Sequence, residues 1–120
     1  MDTPNALTFA DRTGWQEWLE KKHMAETEVW LVLYKKHSGK PGLSYQEAVE
    51  EALCYGWIDS KALRVDEEKY MQRFTPRKNN SNWSALNLQR VEKLVKEGRM
   101  TLAGLAKVKF QVHKKTAENS

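Results

Sequence analysis

Residues 52–84 of the sequence contain four polar side chains that could bind a ligand, Arg73, Arg77, Ser81 and Ser84. Arg73 and Arg77 could bind a phosphate or a carboxylate, because a guanidinium group presents its donors in a planar fork. Ser81 and Ser84 precede or open a helix, where unpaired backbone N–H groups and the helix dipole also favour an anion. This group predicts an anion-binding site. The alternative is that the arginines pair with acidic side chains and the serines only cap the helix.

The same stretch contains an acid and two large aromatic residues. Asp59 could act as a general base, or it could hold the arginines in place as their ion-pair partner. Trp57 and Trp83 could form stacking walls for a ring, or they could lie in the core. Lys35, Lys36 or Arg90 would add positive charge if the fold brings them near. The candidate ligand-binding residues are therefore Lys36, Trp57, Asp59, Arg73, Arg77, Ser81, Trp83 and Ser84, and no catalytic residue is assigned.

Cysteine and histidine chemistry is not favoured by this sequence. Cys54 is the only cysteine, which excludes an internal disulfide and suits a reducing compartment. It lies between apolar neighbours late in a helix, whereas a reactive thiolate would prefer a helix N-terminus, so we expect a buried small hydrophobic residue. The three histidines lack ligand spacing, and no phosphate-binding glycine loop occurs. We therefore expect no metal and no cofactor.

Length and charge limit the classes of function. A chain of 120 residues is long enough for one domain, which we place at residues 1–110 with a polar flexible tail at 111–120. The net charge is +4, but the basic residues are interleaved with 16 acids and form no basic helix, so nucleic-acid binding is not expected. No signal peptide and no membrane span are recognisable, which predicts a cytoplasmic protein. The expected partner is an anionic small molecule or another protein.

The first half of the chain contains one helix and one strand. Residues 1–10 are expected to be a weakly ordered lead-in. A helix starts near Asp11 or Thr13, where Thr13 and Gln16 have capping-box spacing. The strand is Glu28–Lys36, rich in β-branched and aromatic residues. Because both of its faces are apolar, we expect it to be central in the sheet and covered on both sides.

A second helix is predicted from Ser44, where Ser44 and Glu47 form a capping box, to a left-handed stop at Gly56. Its buried face follows helical spacing and comprises Tyr45, Ala48, Val49, Ala52 and Leu53. The acidic residues Glu47, Glu50 and Glu51 are expected to face solvent.

The rest of the chain predicts a hairpin and two helices. The hairpin strands are Trp57–Val65 and Lys69–Thr75. A helix runs from Asn82 or Ser84 to Glu97, with an inward face of Leu86, Val91, Leu94 and Val95. Thr101 caps a final short helix. The element order predicts an α+β fold, in which a small β-sheet (a central strand plus a β-hairpin) is packed by about four helices.

Six blocks of sequence form a specific set. They are WQEWLE (15–20), VWLVLYKK (29–36), SYQEAVEEALCYGWIDS (44–60), RFTPR (73–77), SNWSALN (81–87) and EGRMTLAGL (97–105). Through these blocks the chain resembles the YdeI/OmpD-associated, or bacteriocin-protection (OmdA-like), family. The resemblance implies a bacterial protein without an established enzymatic activity, linked by its family names to tolerance of bacteriocins or antimicrobial peptides.

Residues and resemblance together favour a non-enzymatic binding module with an anion-binding pocket. One alternative is an enzyme of unknown reaction that uses Asp59 as acid or base. The other is a protein–protein interaction domain whose aromatic residues form the interface.

Overall fold

The computed structural model describes residues 5–78 and 83–108. Four strands and four α-helices occur in these ranges, with one short 3-10 helix at Lys36–Ser38. The strands are β1 (Ala6–Leu7), β2 (Val29–Tyr34), β3 (Trp57–Arg64) and β4 (Lys69–Pro76). The helices are α1 (Arg12–Lys22), α2 (Tyr45–Cys54), α3 (Ala85–Lys96) and α4 (102–108). The α+β prediction is confirmed, while Ser81 and the predicted tail at 111–120 lie outside the described residues.

The strands form one mixed sheet in the order β1-β2-β4-β3. The predicted hairpin is present, because β3 pairs antiparallel with β4 and the register shifts between Asp59 and Ala62. β4 also pairs antiparallel with β2, so β2 is central as expected. The prediction of a weakly ordered lead-in was wrong for Ala6–Leu7, which pairs in parallel with β2. A strand of two residues has no periodicity from which it could be recognised.

The core lies on one face of the sheet. Val29, Leu31 and Leu33 of β2 are buried there among residues from α1, α2 and α3. The alternate residues Trp30 and Val32 are only half-buried. The two faces of β2 are therefore not covered equally, whereas cover on both sides had been predicted. Trp30 and Val32 lie on the second face, which we call the outer face, and belong neither to the described core cluster nor to the residues packed against it.

Capping explains where the first two helices begin and end. Asp11, not Thr13, caps α1, because its carboxylate accepts a hydrogen bond from the backbone N–H of Gly14 at 3.1 Å. The capping box of Ser44 and Glu47 is confirmed. So is the left-handed stop at Gly56, where φ is +77°.

The buried face of α3 matches its prediction only in part. Val91 and Leu94 are buried, but Leu86 and Val95 are 55% and 50% exposed, because the core takes only a narrow stripe of α3. Thr101 caps α4 as predicted, its hydroxyl accepting from the N–H of Gly104 at 3.3 Å. Gly104 also lets α4 approach the end of α2, since a Cβ there would meet the Cys54 carbonyl. None of the helices in these ranges is both long enough and apolar enough to cross a membrane.

Two predictions about α2 were wrong. Glu50 and Glu51 are 2% and 1% exposed instead of facing solvent, because basic side chains from other elements reach them. Glu51 accepts hydrogen bonds from Arg12 at 2.8 Å and from Arg99 at 2.7 Å. Tyr45, predicted to be buried, is 40% exposed, because it lies at the first turn of the helix, where the core has ended.

Candidate functional site

A cleft of about 390 Å³ lies where β2 ends and α2 begins. Its lining combines three tyrosines, three cations and two neutral polar side chains. These residues are Tyr34, Lys35, Lys36, Ser44, Tyr45, Gln46, Tyr70 and Arg90. We call this cleft the tyrosine cleft.

Four elements position these side chains. Tyr34 is the last residue of β2, so Lys35 and Lys36 follow at the end of the strand. Tyr45 is the first residue of α2. Tyr70 lies opposite Leu33 in the β2–β4 ladder. Arg90 comes from α3, where its Nη1 donates to the Asn87 side chain at 2.8 Å and fixes its direction.

The lining is positively charged. No carboxylate lines this cleft among the residues that the structure describes. Lys36 and Arg90 form no ion pair within the same ranges, and the Lys35 ammonium donates only to the backbone carbonyl of Asp66, at 3.4 Å. The capping box of α2 already uses the N–H groups of Ser44 and Glu47, which are two of the donors that this helix N-terminus could offer to an anion. Side-chain cations therefore supply the attraction for an anion.

Asp59 lies beside the cleft and holds one of its walls. The Tyr45 hydroxyl donates to Asp59 Oδ2 at 2.6 Å. Burial, followed by this hydrogen bond, raises the pKa of Tyr45 to about 12. Burial also raises the pKa of Tyr70, and the Asp59 charge adds to the effect. Both phenols are thus neutral at physiological pH and do not repel an anion.

Arg77 and Trp83 form a second unit. The Arg77 side chain is 3% exposed and its guanidinium carbon lies 3.8 Å from the centroid of the Trp83 ring, a cation–π contact. Burial lowers the pKa of Arg77, and the nearby Asp59 charge opposes that shift. The Asp59 charge therefore favours the cationic form of Arg77, while the Asp59 carboxylate accepts its hydrogen bond from Tyr45.

The other candidates are dispersed. Arg73 lies on the outer face opposite Trp30, where its Nε donates to Glu28 at 2.6 Å. Trp57 is buried in the core and meets the edge of Trp18 at 5.8 Å between ring centroids. Ser84 caps α3 through a 3.1 Å hydrogen bond from the N–H of Asn87. The structure thus places Lys36 in the lining of the tyrosine cleft and Asp59 beside it, whereas Arg73 lies on the other face of the sheet.

The tyrosines of the cleft were not among the candidate residues, and Arg90 entered only as a possible contributor of charge. Tyr45 fitted the apolar spacing of α2 and was therefore assigned to the core. Tyr34 and Tyr70 fitted the patterns of their predicted strands, and neither was considered as a ligand-binding residue. The available signal was that all three carry a hydroxyl at the end of an apolar pattern, where a polar group can reach solvent.

Two other clefts have weaker chemistry. The larger, of about 630 Å³, lies between α1 and the start of β2 and is lined in part by Lys22, Glu26 and Glu28. Its charges largely cancel, because Arg73 also pairs with Glu28. A groove of about 410 Å³ along α3 is almost wholly apolar and includes Val91 and Val95. Neither has the excess of cations found in the tyrosine cleft.

Metal and thiol chemistry find no support in the described ranges. No group of three or more His, Cys, Asp or Glu side chains there could hold a metal ion. Cys54 is buried as predicted, and burial, followed by the charge of Glu51, raises the pKa of its thiol to about 12. The thiolate is therefore disfavoured at neutral pH.

Comparison with known proteins places the chain in a family without assigning an activity. A family model described as a domain of unknown function (DUF8412) matches residues 7–107. The chain belongs to this family. No curated protein and no solved structure gives a significant match.

Proposed function

We propose that this member of the DUF8412 family is a binding module for an anionic small molecule, which it takes in the tyrosine cleft. The observation that supports this most directly is that Lys36 and Arg90 line one concavity without a carboxylate among its described lining residues. A cation without a carboxylate partner in the described ranges is available to an anionic ligand, and an arginine can hold a phosphate or carboxylate with two parallel hydrogen bonds.

Size supports the same proposal. Small-molecule pockets commonly enclose about 300–1,000 Å³, and the cleft encloses about 390 Å³. Asp59 argues for binding over catalysis, because its carboxylate already accepts from Tyr45 and so holds a wall of the cleft. We therefore prefer the binding module to an enzyme that uses Asp59 as acid or base.

A thermal-shift experiment on the full chain tests this proposal. The probes are inorganic phosphate and pyrophosphate at constant ionic strength, since a protein of net charge +4 also attracts anions without specificity. A probe at about 100 times its Kd stabilises the protein by about 2.7 kcal/mol, which raises Tm by several degrees. We expect this rise in the wild type and its loss in Lys36→Ala and Arg90→Ala.

Lys21→Ala is the matched control, because Lys21 is exposed on α1 and its removal lowers the net charge by the same amount. The control should keep the wild-type shift. Equal shifts in all the variants would show non-specific attraction, and no shift in the wild type would also contradict the proposal.

We further propose that the protein acts in bacteriocin or antimicrobial-peptide tolerance, in the cytoplasm. The resemblance of the six sequence blocks to the YdeI/OmpD-associated family supports this role. A strain that lacks the gene should be more sensitive to a cationic antimicrobial peptide, and the wild-type gene should restore growth. If Arg90→Ala restores growth equally well, tolerance does not depend on the tyrosine cleft.

A further inference from the structure

We propose that the ligand of the tyrosine cleft joins its anionic group to a flat aromatic ring. This inference rests on the anion-binding function proposed above and narrows the class of ligand. The anionic group could be a phosphate or a carboxylate, since Arg90 and Lys36 would bind either. Charge alone does not explain why three tyrosines line the cleft or why it is larger than a phosphate ion, and an aromatic ring on the ligand would explain both.

The cleft is too large for a bare inorganic anion. Its volume is about 390 Å³, and phosphate has only five heavy atoms, so an ion held by Lys36 and Arg90 would leave most of the space filled by water. Ligand sites usually enclose most of the surface of their ligand. The remaining space therefore fits a second group attached to the anion.

The remaining wall is suited to a ring. Tyr34, Tyr45 and Tyr70 come from three separate elements and line the same cleft. Aromatic side chains stack on flat rings whatever polar groups the ring carries. Tyr45 is held by its hydrogen bond to Asp59 and Tyr70 by its place in the sheet, so both are set in position before a ligand arrives.

Polar groups are available at the edge of such a ring. Gln46 and Ser44 line the cleft beside Tyr45. The Gln46 side-chain amide donates to Glu50 at 3.2 Å, which leaves its oxygen able to accept from a ligand donor. The Ser44 oxygen accepts from the N–H of Glu47, which leaves its hydroxyl hydrogen able to donate.

Calorimetric titration of the full chain with matched probes tests the inference. Inorganic phosphate and acetate carry charge without a ring, adenosine carries a ring without charge, and adenosine monophosphate and benzoate carry both. We expect at least one of the last two to bind at least tenfold more tightly than its ringless counterpart and than adenosine. Which of the two binds distinguishes a phosphate from a carboxylate ligand.

Variants connect the difference to the tyrosines. Tyr70→Leu should reduce the affinity for the ring-bearing probe to that of the ringless anion and leave the affinity of the ringless anion unchanged. Tyr45→Leu is the second variant, because Tyr45 is partly exposed and its loss should be tolerated by the fold. Trp30→Leu, on the outer face, removes an aromatic ring elsewhere and should bind like the wild type.

The two proposals fail in different ways. If phosphate or acetate binds as tightly as the ring-bearing probes, the ligand needs no aromatic ring, so the inference is wrong and the anion-binding function stands. If adenosine binds as tightly as adenosine monophosphate, the ring contributes but charge does not, which overturns both the inference and the proposed function. Absence of binding by every probe also overturns both.

Discussion

The two ends of α2 differ in whether their charged neighbours are paired. Near its C-terminal end, Glu50 and Glu51 are buried and paired with Arg12, Lys93 and Arg99. At its N-terminal end, the cations that line the tyrosine cleft face no carboxylate in the described lining. The first arrangement joins α2 to α1, to α3 and to the segment after α3. The second leaves charge available to a ligand.

The difference shows why charged residues on one helix need separate interpretations. A buried carboxylate must be compensated, because losing its hydration costs several kcal/mol. An exposed lysine keeps its hydration and can remain without a partner. We therefore expect substitutions at the buried end to change stability, and substitutions at the cleft to change binding.

The largest expected effect is at Glu51. Glu51→Ala removes the acceptor shared by Arg12 and Arg99 and opens a cavity, which we expect to lower the free energy of unfolding by about 3 kcal/mol. Urea denaturation measures this change as a lower midpoint. Glu17→Ala, at an exposed position of α1, should change stability by less than about 0.5 kcal/mol.

Anion affinity in the Glu51→Ala variant tests whether the two ends of α2 act independently. The variant should retain the wild-type affinity for phosphate at temperatures where it is folded, since Glu51 does not line the cleft. An unchanged midpoint would show that the buried ion pairs do not contribute to stability, and a loss of phosphate binding would show that the two ends of α2 are coupled.

An intermediate effect on stability is expected at Glu50, and it should depend on pH. Burial alone would raise the pKa of Glu50, but hydrogen bonds from Gln46, Lys93 and Arg12 outweigh it and hold the pKa below its ordinary value of 4.5. A lowered pKa in the folded state means that this stability is present above the unfolded pKa and is lost as pH falls through the folded value. Glu50→Gln should cost about 2 kcal/mol at neutral pH.

Thermal unfolding at several pH values measures this contribution. The difference in stability between the wild type and Glu50→Gln should be constant above about pH 5 and shrink below it. A difference that stays constant down to about pH 3 would mean that Glu50 does not titrate with a lowered pKa.

The smallest expected effect is at the cleft. Tyr45→Phe removes the hydrogen bond to Asp59 and should cost about 1 kcal/mol at neutral pH, since Tyr45 is partly exposed. Because the pKa of Tyr45 is raised in the folded state, this contribution is present below the unfolded pKa, near 10, and is lost as pH rises towards 12.

Thermal unfolding and ultraviolet titration of the phenols test this prediction. Tyr34→Phe is the matched control, because its hydroxyl forms no hydrogen bond in the described ranges, and its Tm should equal that of the wild type. If Tyr45→Phe and Tyr34→Phe are equally stable, Asp59 does not hold Tyr45.

Much of the fold follows from local sequence patterns. The capping box at Ser44, the left-handed stop at Gly56 and the hairpin from Trp57 were predictable, because each depends on residues only a few positions apart. Cys54 was correctly placed in the core from its apolar neighbours. In the candidate site, Lys36 lines the tyrosine cleft and Asp59 lies beside it, and both were candidates from the sequence. The three tyrosines of the cleft were not.

What only the tertiary structure decided involves partners far apart in the sequence. Arg12 and Arg99 lie 39 and 48 positions from Glu51, and without them the acidic residues of α2 look like a solvent face. Arg73 looked like a partner of Arg77, but it lies on the outer face of the sheet and pairs there with Glu28. Arg77 follows the end of β4 and is buried. Periodicity and capping are local properties that a sequence displays directly. Charge pairing and the lining of a cleft depend on which elements the core brings together, and that is determined only when the chain folds.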